Sequence, residues 1–345
     1  MVRQISGLAG TIYEAIRDAP IVSPHGHCDP AWFAQNNAFS DPAELLVIPD
    51  HYVFRMLYSQ GIALRDLGIG IAPQERDPRV IFRLFASNWH LFLGTPSHIW
   101  ITHVLEKTIG CSADLSADTA DDIYDQIADW LTDPANRPRA LFERFNIEVL
   151  ATTDGALDPL DDHKAVQSSD WSGRVVPTFR PDAVLDPMMP GWAHEVARLG
   201  RITDHDTRGF NGYLAALQTR RKAFKAMGAT ATDHAIEQPA TCWLDAPEKI
   251  YAQLLAGDMT HAAAFHGHML VEMARMSCDD GMVMQLHAGS HRNHAQQIFD
   301  DYGTDKGFDI PMRNDYVNGL KPLLNEMGHN PALKMILFTL DETTL

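Results

Sequence analysis

The sequence predicts an α/β protein built as a (β/α)8 TIM-type barrel, six strands of which are visible, with a large helical insertion after the first strand. Three observations carry this prediction. Short apolar runs alternate with helical stretches from residue 147 onward, a rhythm that implies parallel strands joined by crossover helices. The runs end in polar or ionisable residues, where a barrel collects its active-site groups: Thr153 and Asp154, Arg180 and Asp182, Asp233 and His234, His287, Asp341 and Glu342. More than a hundred residues of helical signal separate the first run from the second, and connections that long are usually functional. A doubly wound sheet would bring only one or two of these strand ends together, so the barrel is preferred.

Residues 8–17 form a short amphipathic helix, broken at Ala19 and Pro20. Ile21 and Val22 then lead into His25, Gly26 and His27. In an extended chain the side-chain period of two turns both imidazoles to one face, within reach of one ion about 2 Å from each nitrogen. The same tripeptide recurs at His266, Gly267 and His268, among Phe265, Met269, Leu270, Met273 and Met276 at helical spacing. There the two rings fall about 200° apart and are expected as helix-surface histidines, unable to share an ion. Residues 31–145 form the insertion, with helices opening at Pro42, His51, Pro78 and Pro96, the prolines in the first turn where a helix tolerates them. The barrel takes 1–30 and 146–345, its later strands at 147–153, 175–179, 229–232, 282–287 and 335–340. With the first strand this makes six, two short of closure, so the expectation is a barrel truncated at its C-terminus.

Composition narrows the function. The 345 residues are 45% hydrophobic with a formal charge of −17, which argues against nucleic-acid and anionic-membrane partners, since both need clustered Lys and Arg. The four cysteines form no C-x-x-C pair and read as reduced thiols of a cytoplasmic protein. Neither a signal peptide nor a membrane span is recognisable.

Several separated motifs resemble one family in order: His25-Gly-His27 with Asp29-Pro30, Asp50-His51-Tyr52 with Arg55, Thr152-Thr153-Asp154, Phe179-Arg180-Pro181-Asp182, Asp233-His234, and Leu286-His287-Ala-Gly with Arg292-Asn293. A parallel barrel whose first strand ends in His-x-His resembles the amidohydrolase superfamily, and within it the chain is similar to the uronate isomerases. The resemblance implies interconversion of aldohexuronates and ketohexuronates, D-glucuronate with D-fructuronate and D-galacturonate with D-tagaturonate, through an enediol. It implies Tyr52, Asp233 and His287 as catalytic groups, and His51, Arg180 and Arg55 as substrate-binding ones. It implies one divalent metal, expected as zinc, on His25 and His27, with an Asp beyond Leu345 as third ligand. Arg180 suits the substrate carboxylate, because a guanidinium grips a carboxylate with two parallel hydrogen bonds; a salt bridge to Asp182 is its alternative use. The partner is then a small-molecule hexuronate, and a homo-oligomer is compatible with this. Two rivals stand beside it: a mononuclear metal-dependent hydrolase or deaminase, and a non-catalytic sugar-acid binding protein. Two-metal members of that superfamily bridge their ions with a modified lysine at the fourth strand. Its absence here favours a mononuclear site and weakens the hydrolase reading while leaving a one-metal deaminase open. The sugar-acid binding protein has no need of Tyr52, Asp233 and His287.

Overall fold

The computed structural model describes residues 7–344. The chain divides into two compact units, one of residues 1–35, 142–290 and 311–345, the other of 36–141 with 291–310. Strand counting alone assigns 291–310 to the barrel.

The first unit holds β1 (Ile21–Ser23), β2 (Ile147–Ala151), β3 (Asp154–Gly155), β4 (Val175–Val176), β5 (Phe179–Arg180), β6 (Ala231–Ala235), β7 (Val283–His287) and β8 (Met335–Phe338). Every neighbouring pair among them is parallel, β1 with β2 and β2 with β4, then β3 with β5, β5 with β6, β6 with β7 and β7 with β8. β2 falls inside the predicted strand 147–153 and β3 begins one residue past it, while the predicted strand 175–179 holds β4 and the start of β5, each pair separated by an interruption of two residues. Across the interruption the ladder continues, with Thr152 N donating to Val176 O at 2.9 Å and Asp154 N to Thr178 O at 3.1 Å. The six predicted strands are therefore present, side by side in sequence order, as in a (β/α) barrel. The run is curled. The His25 ring, just past β1, lies 4.5 Å from the His287 ring of β7 and 5.9 Å from Phe338 of β8.

Two expectations are corrected. β6 ends at Ala235 and not at Thr232, because β7 pairs with it throughout, Asp233 opposite Gln285 and Ala235 opposite His287. Asp233 and His234 thus lie inside the strand and point to opposite faces. β1 ends at Ser23, because Pro24 has no N–H to continue a ladder, so His25 and His27 follow the strand and are not part of it. The core of this unit packs Phe179, Tyr213, Leu217 and Phe224 with Phe265, Met269 and Met273 of the helix Ala262–Asp280. That helix ends at Gly281, in the left-handed conformation that terminates helices, and buried Arg221 grips Asp280 at 2.7 and 3.0 Å.

The helices of the second unit start as their sequences dictate. Asp41, Asp50 and Asp77 each accept two backbone N–H groups of the turn that follows, ahead of Pro42–Leu46, His51–Tyr58 and Pro78–Ser87. Val53, Phe54 and Leu57 of the second helix are buried with Ile81, Phe82, Phe85, Ile123 and Ile127. Among the described residues no helix is long and apolar enough to cross a membrane.

Candidate active site

At the C-terminal ends of the parallel strands, β6 contributes Asp233, β7 contributes His287, and the turn after β1 contributes His25. Asp233 is 1% exposed and is the centre of the group: His287 Nδ1 lies 2.5 Å from its Oδ1 and His25 Nε2 3.3 Å from its Oδ2. Burial alone would raise the Asp233 pKa. The hydrogen bonds from His25 and His287, with the charges of His287 and Arg180, outweigh it and hold the carboxyl well below its usual range. A carboxylate so placed orients the imidazole it binds, the arrangement of a base and its orienter. Phe338 stacks on the His287 ring at 4.1 Å and 11°, fixing the ring plane.

One nitrogen of His25, one of His287 and one oxygen of Asp233 lie within 4.8 Å of one another. Two imidazoles and a carboxylate suit a borderline divalent cation, so the residues present fit a metal. His27 is outside that trio, its ring edge-on to His25 at 5.1 Å. Burial first, then the charges of His25 and Arg180, lowers its pKa and keeps the ring neutral, the form that ligates. Gly26 lets the turn approach β2, since a Cβ there would lie 2.9 Å from Ala151 O, and Thr153 Oγ1 donates to Gly26 O at 2.9 Å.

Arg180 closes β5. Its NH1 is 3.9 Å from Asp233 Oδ2, and its Nε donates to Asp182 Oδ2 at 2.8 Å. The salt bridge considered from sequence is therefore made, and the guanidinium still reaches the triad. Asp182, pushed up to about 6 by burial against the pull of Arg180, also accepts Ala235 N at 3.2 and 3.3 Å. Sequence reasoning missed Asp182 as more than a salt-bridge partner; its spacing of two from Arg180 was the only signal. His234, facing away from Asp233, is fully buried, and burial together with Arg221 pushes it down to about 3.

A polar cavity of about 310 Å³ adjoins the site, lined by His27, Cys28, Asp29, Asp154, Asp158 and His163 among others. Its acid-rich wall disfavours an anionic group. Behind its wall, buried Thr152 Oγ1 bridges Asp154 Oδ2 at 2.7 Å and His163 Nε2 at 2.9 Å. Asp154, of doubtful use from sequence, is thus a buried member of this cluster.

In the second unit, Asp50 caps His51–Tyr58 so that His51 and Tyr52 fall in the first turn, their rings 4.5 Å apart. Tyr52 is 61% exposed, and Arg55, three residues on, is exposed as well, with its guanidinium 5.9 Å from the Phe308 ring.

Comparison with known proteins bears directly on this set. A family model described as glucuronate isomerase matches residues 5–345. A uronate isomerase of Rhizorhabdus wittichii is 52% identical over 340 residues, which cover 97% of this chain and 72% of that protein. The crystal structure of glucuronate isomerase from Caulobacter crescentus matches with a TM-score of 0.94 at 47% identity, over 97% of this chain and 71% of that one. A uronate isomerase structure from Thermotoga maritima matches with a TM-score of 0.90 at 26% identity, over 97% and 73%. Similarity of this extent, spanning both units, shows that the chain belongs to the glucuronate isomerase family.

Proposed function

We propose that the site described above performs uronate isomerisation, interconverting aldohexuronates and ketohexuronates, D-glucuronate with D-fructuronate and D-galacturonate with D-tagaturonate. The observation that carries the reading is the meeting of His25, Asp233, His287 and Arg180 at one end of the strands, in a chain of this family. Isomerisation moves a proton between adjacent carbons through an enediol, and needs an acid–base group, a stabiliser for the developing oxyanion and a cation for the carboxylate. Arg180 binds the substrate carboxylate. His287 exchanges a proton with the sugar at Nε2, while Asp233 accepts the hydrogen bond of Nδ1 and keeps that tautomer. Tyr52 is the proton donor or acceptor, with His51 and Arg55 on the substrate's oxygens.

His25 and His27 would hold a divalent metal, zinc being one that imidazole donors suit; the His25 nitrogen converges with Asp233 and His287, and His27, beside that trio, would be the further ligand. Such an ion would polarise a substrate oxygen. The four free cysteines fit a reducing compartment, and the cytoplasm is the proposed location.

The test is incubation of the full chain with D-glucuronate in deuterated water under metal-replete conditions, followed by NMR. Ketose appears, with deuterium at the reacting carbon where the base exchanges with solvent. No turnover of glucuronate or galacturonate would sink the reading.

A further inference from the structure

We propose that Asp182 is a positioning residue for the isomerisation, aiming the Arg180 guanidinium at the substrate carboxylate by tying it to the end of β6. The inference rests on the reading of Arg180 given above. β5 pairs with β6 only at Phe179 opposite Thr232, and the chain then turns at Pro181 into the short helix Asp182–Leu185. Ala235 N, on the β5 side of β6, has lost the strand that would have received it. The Asp182 carboxylate takes that place, accepting Ala235 N with both oxygens, at 3.2 and 3.3 Å. The same carboxylate receives Arg180 Nε at 2.8 Å.

One side chain therefore joins the end of β5 to the end of β6, two residues past Asp233. Arg180 has rotatable bonds along its whole stem, and fixing Nε removes most of that freedom before substrate arrives. With Nε engaged, the NH1/NH2 edge is the one that can take a carboxylate by two parallel bonds, and NH1 is the atom nearest the triad. A purely structural salt bridge would serve as well at any angle. This one sets an angle, because its acceptor is itself anchored to the strand that bears Asp233.

The experiment compares Asp182→Asn, Arg180→Met and the double variant for KM and kcat on D-glucuronate. Affinity for D-glucose, the same ring without the carboxylate, is measured by saturation-transfer NMR. Asp182→Asn keeps an acceptor for Ala235 N–H but loses the charge that holds Nε, and it is used because Asp182→Ala opens the strand end. The expected result is a KM for D-glucuronate raised about tenfold with kcat changed less than about threefold, and an unchanged glucose affinity. In the Arg180→Met background the second substitution adds less than about twofold, because the two act through one contact. If Arg180→Met raises KM but Asp182→Asn does not, or if Asp182→Asn weakens both sugars alike, the positioning role is overturned and the reading of Arg180 stands. If Arg180→Met itself leaves KM unchanged, the reading of Arg180 falls first.

Discussion

The tripeptide His-Gly-His occurs twice in the barrel unit, and the two copies differ because of the backbone that carries them. At 25–27 it follows the end of β1, and His25 reaches the Asp233–His287 pair. At 266–268 it lies in the helix Ala262–Asp280, where His266 turns toward Asp186, 3.9 Å away. His268 turns to the Trp243 ring at 4.9 Å and accepts Leu244 N at 3.3 Å. The expectation of two surface histidines is corrected here: His268 is 1% exposed. Both glycines are spacers. A Cβ at Gly26 would lie 2.9 Å from Ala151 O, and one at Gly267 would lie 2.4 Å from Ala240 O. Residues 240–242 pack against the helix at Gly267, and Trp243 and Leu244, which follow them, lie on His268. Identical residues thus give a chemical group at a strand end and a packing group in a helix.

The largest expected effect separates the copies by activity. His25→Ala lowers turnover of D-glucuronate by about a hundredfold or more, and His266→Ala leaves it within about twofold. Steady-state rates on both variants decide this, and equal losses would erase the distinction.

Next in size is the response to acid. Burial, then Arg275, holds His268 down at about 4 against an ordinary 6.5. A depressed folded pKa means that the stability is fully present above pH 6.5 and is lost as pH falls from 6.5 to about 4, about 3 kcal/mol over that window. Glu272, pushed up by burial against Arg275, titrates with the opposite sign, so the comparison is with His268→Gln. Denaturant unfolding from pH 7 to pH 4 should show a shallower decline in that variant; an unchanged slope would mean that His268 is not the group involved.

Smaller still are the glycines. Gly267→Ala meets a backbone carbonyl and destabilises by about 2 kcal/mol, whereas Gly26→Ala, with a longer contact, costs about 1 kcal/mol. Thermal melting orders the two, and a reversed order would mean that the 240–242 loop yields more easily than β2. Least of all, Arg275→Ala removes a half-exposed guanidinium 5.1 Å from the Trp243 ring and 2.6 Å from Glu272, for about 0.5 kcal/mol.

Much of this was legible in the sequence. The alternation of apolar runs and helical stretches predicts six parallel strands, and six are found in sequence order. The helices opening at Pro42, Pro78 and Pro96 are found where the sequence places them, because the tolerance of a first turn for proline is local. What sequence could not show is set by distant partners. Asp-His-Ala at 233–235 has weak strand propensity, and only pairing with β7 extends β6 to Ala235. Phe338 on His287 and Asp182 on Ala235 N join segments separated by about fifty residues of chain, beyond any periodicity. The burial of His268 depends on a loop that packs where Gly267 leaves room, which no window of sequence around the helix reports.

We propose that the strand-end copy, and not the tripeptide as such, makes a metal site. Equilibrium dialysis against zinc followed by metal analysis tests it on the wild-type chain, His25→Ala and His266→Ala. One ion per chain in the wild type and in His266→Ala, and none in His25→Ala, is the predicted result. An ion retained by His25→Ala, or lost from His266→Ala, would contradict it.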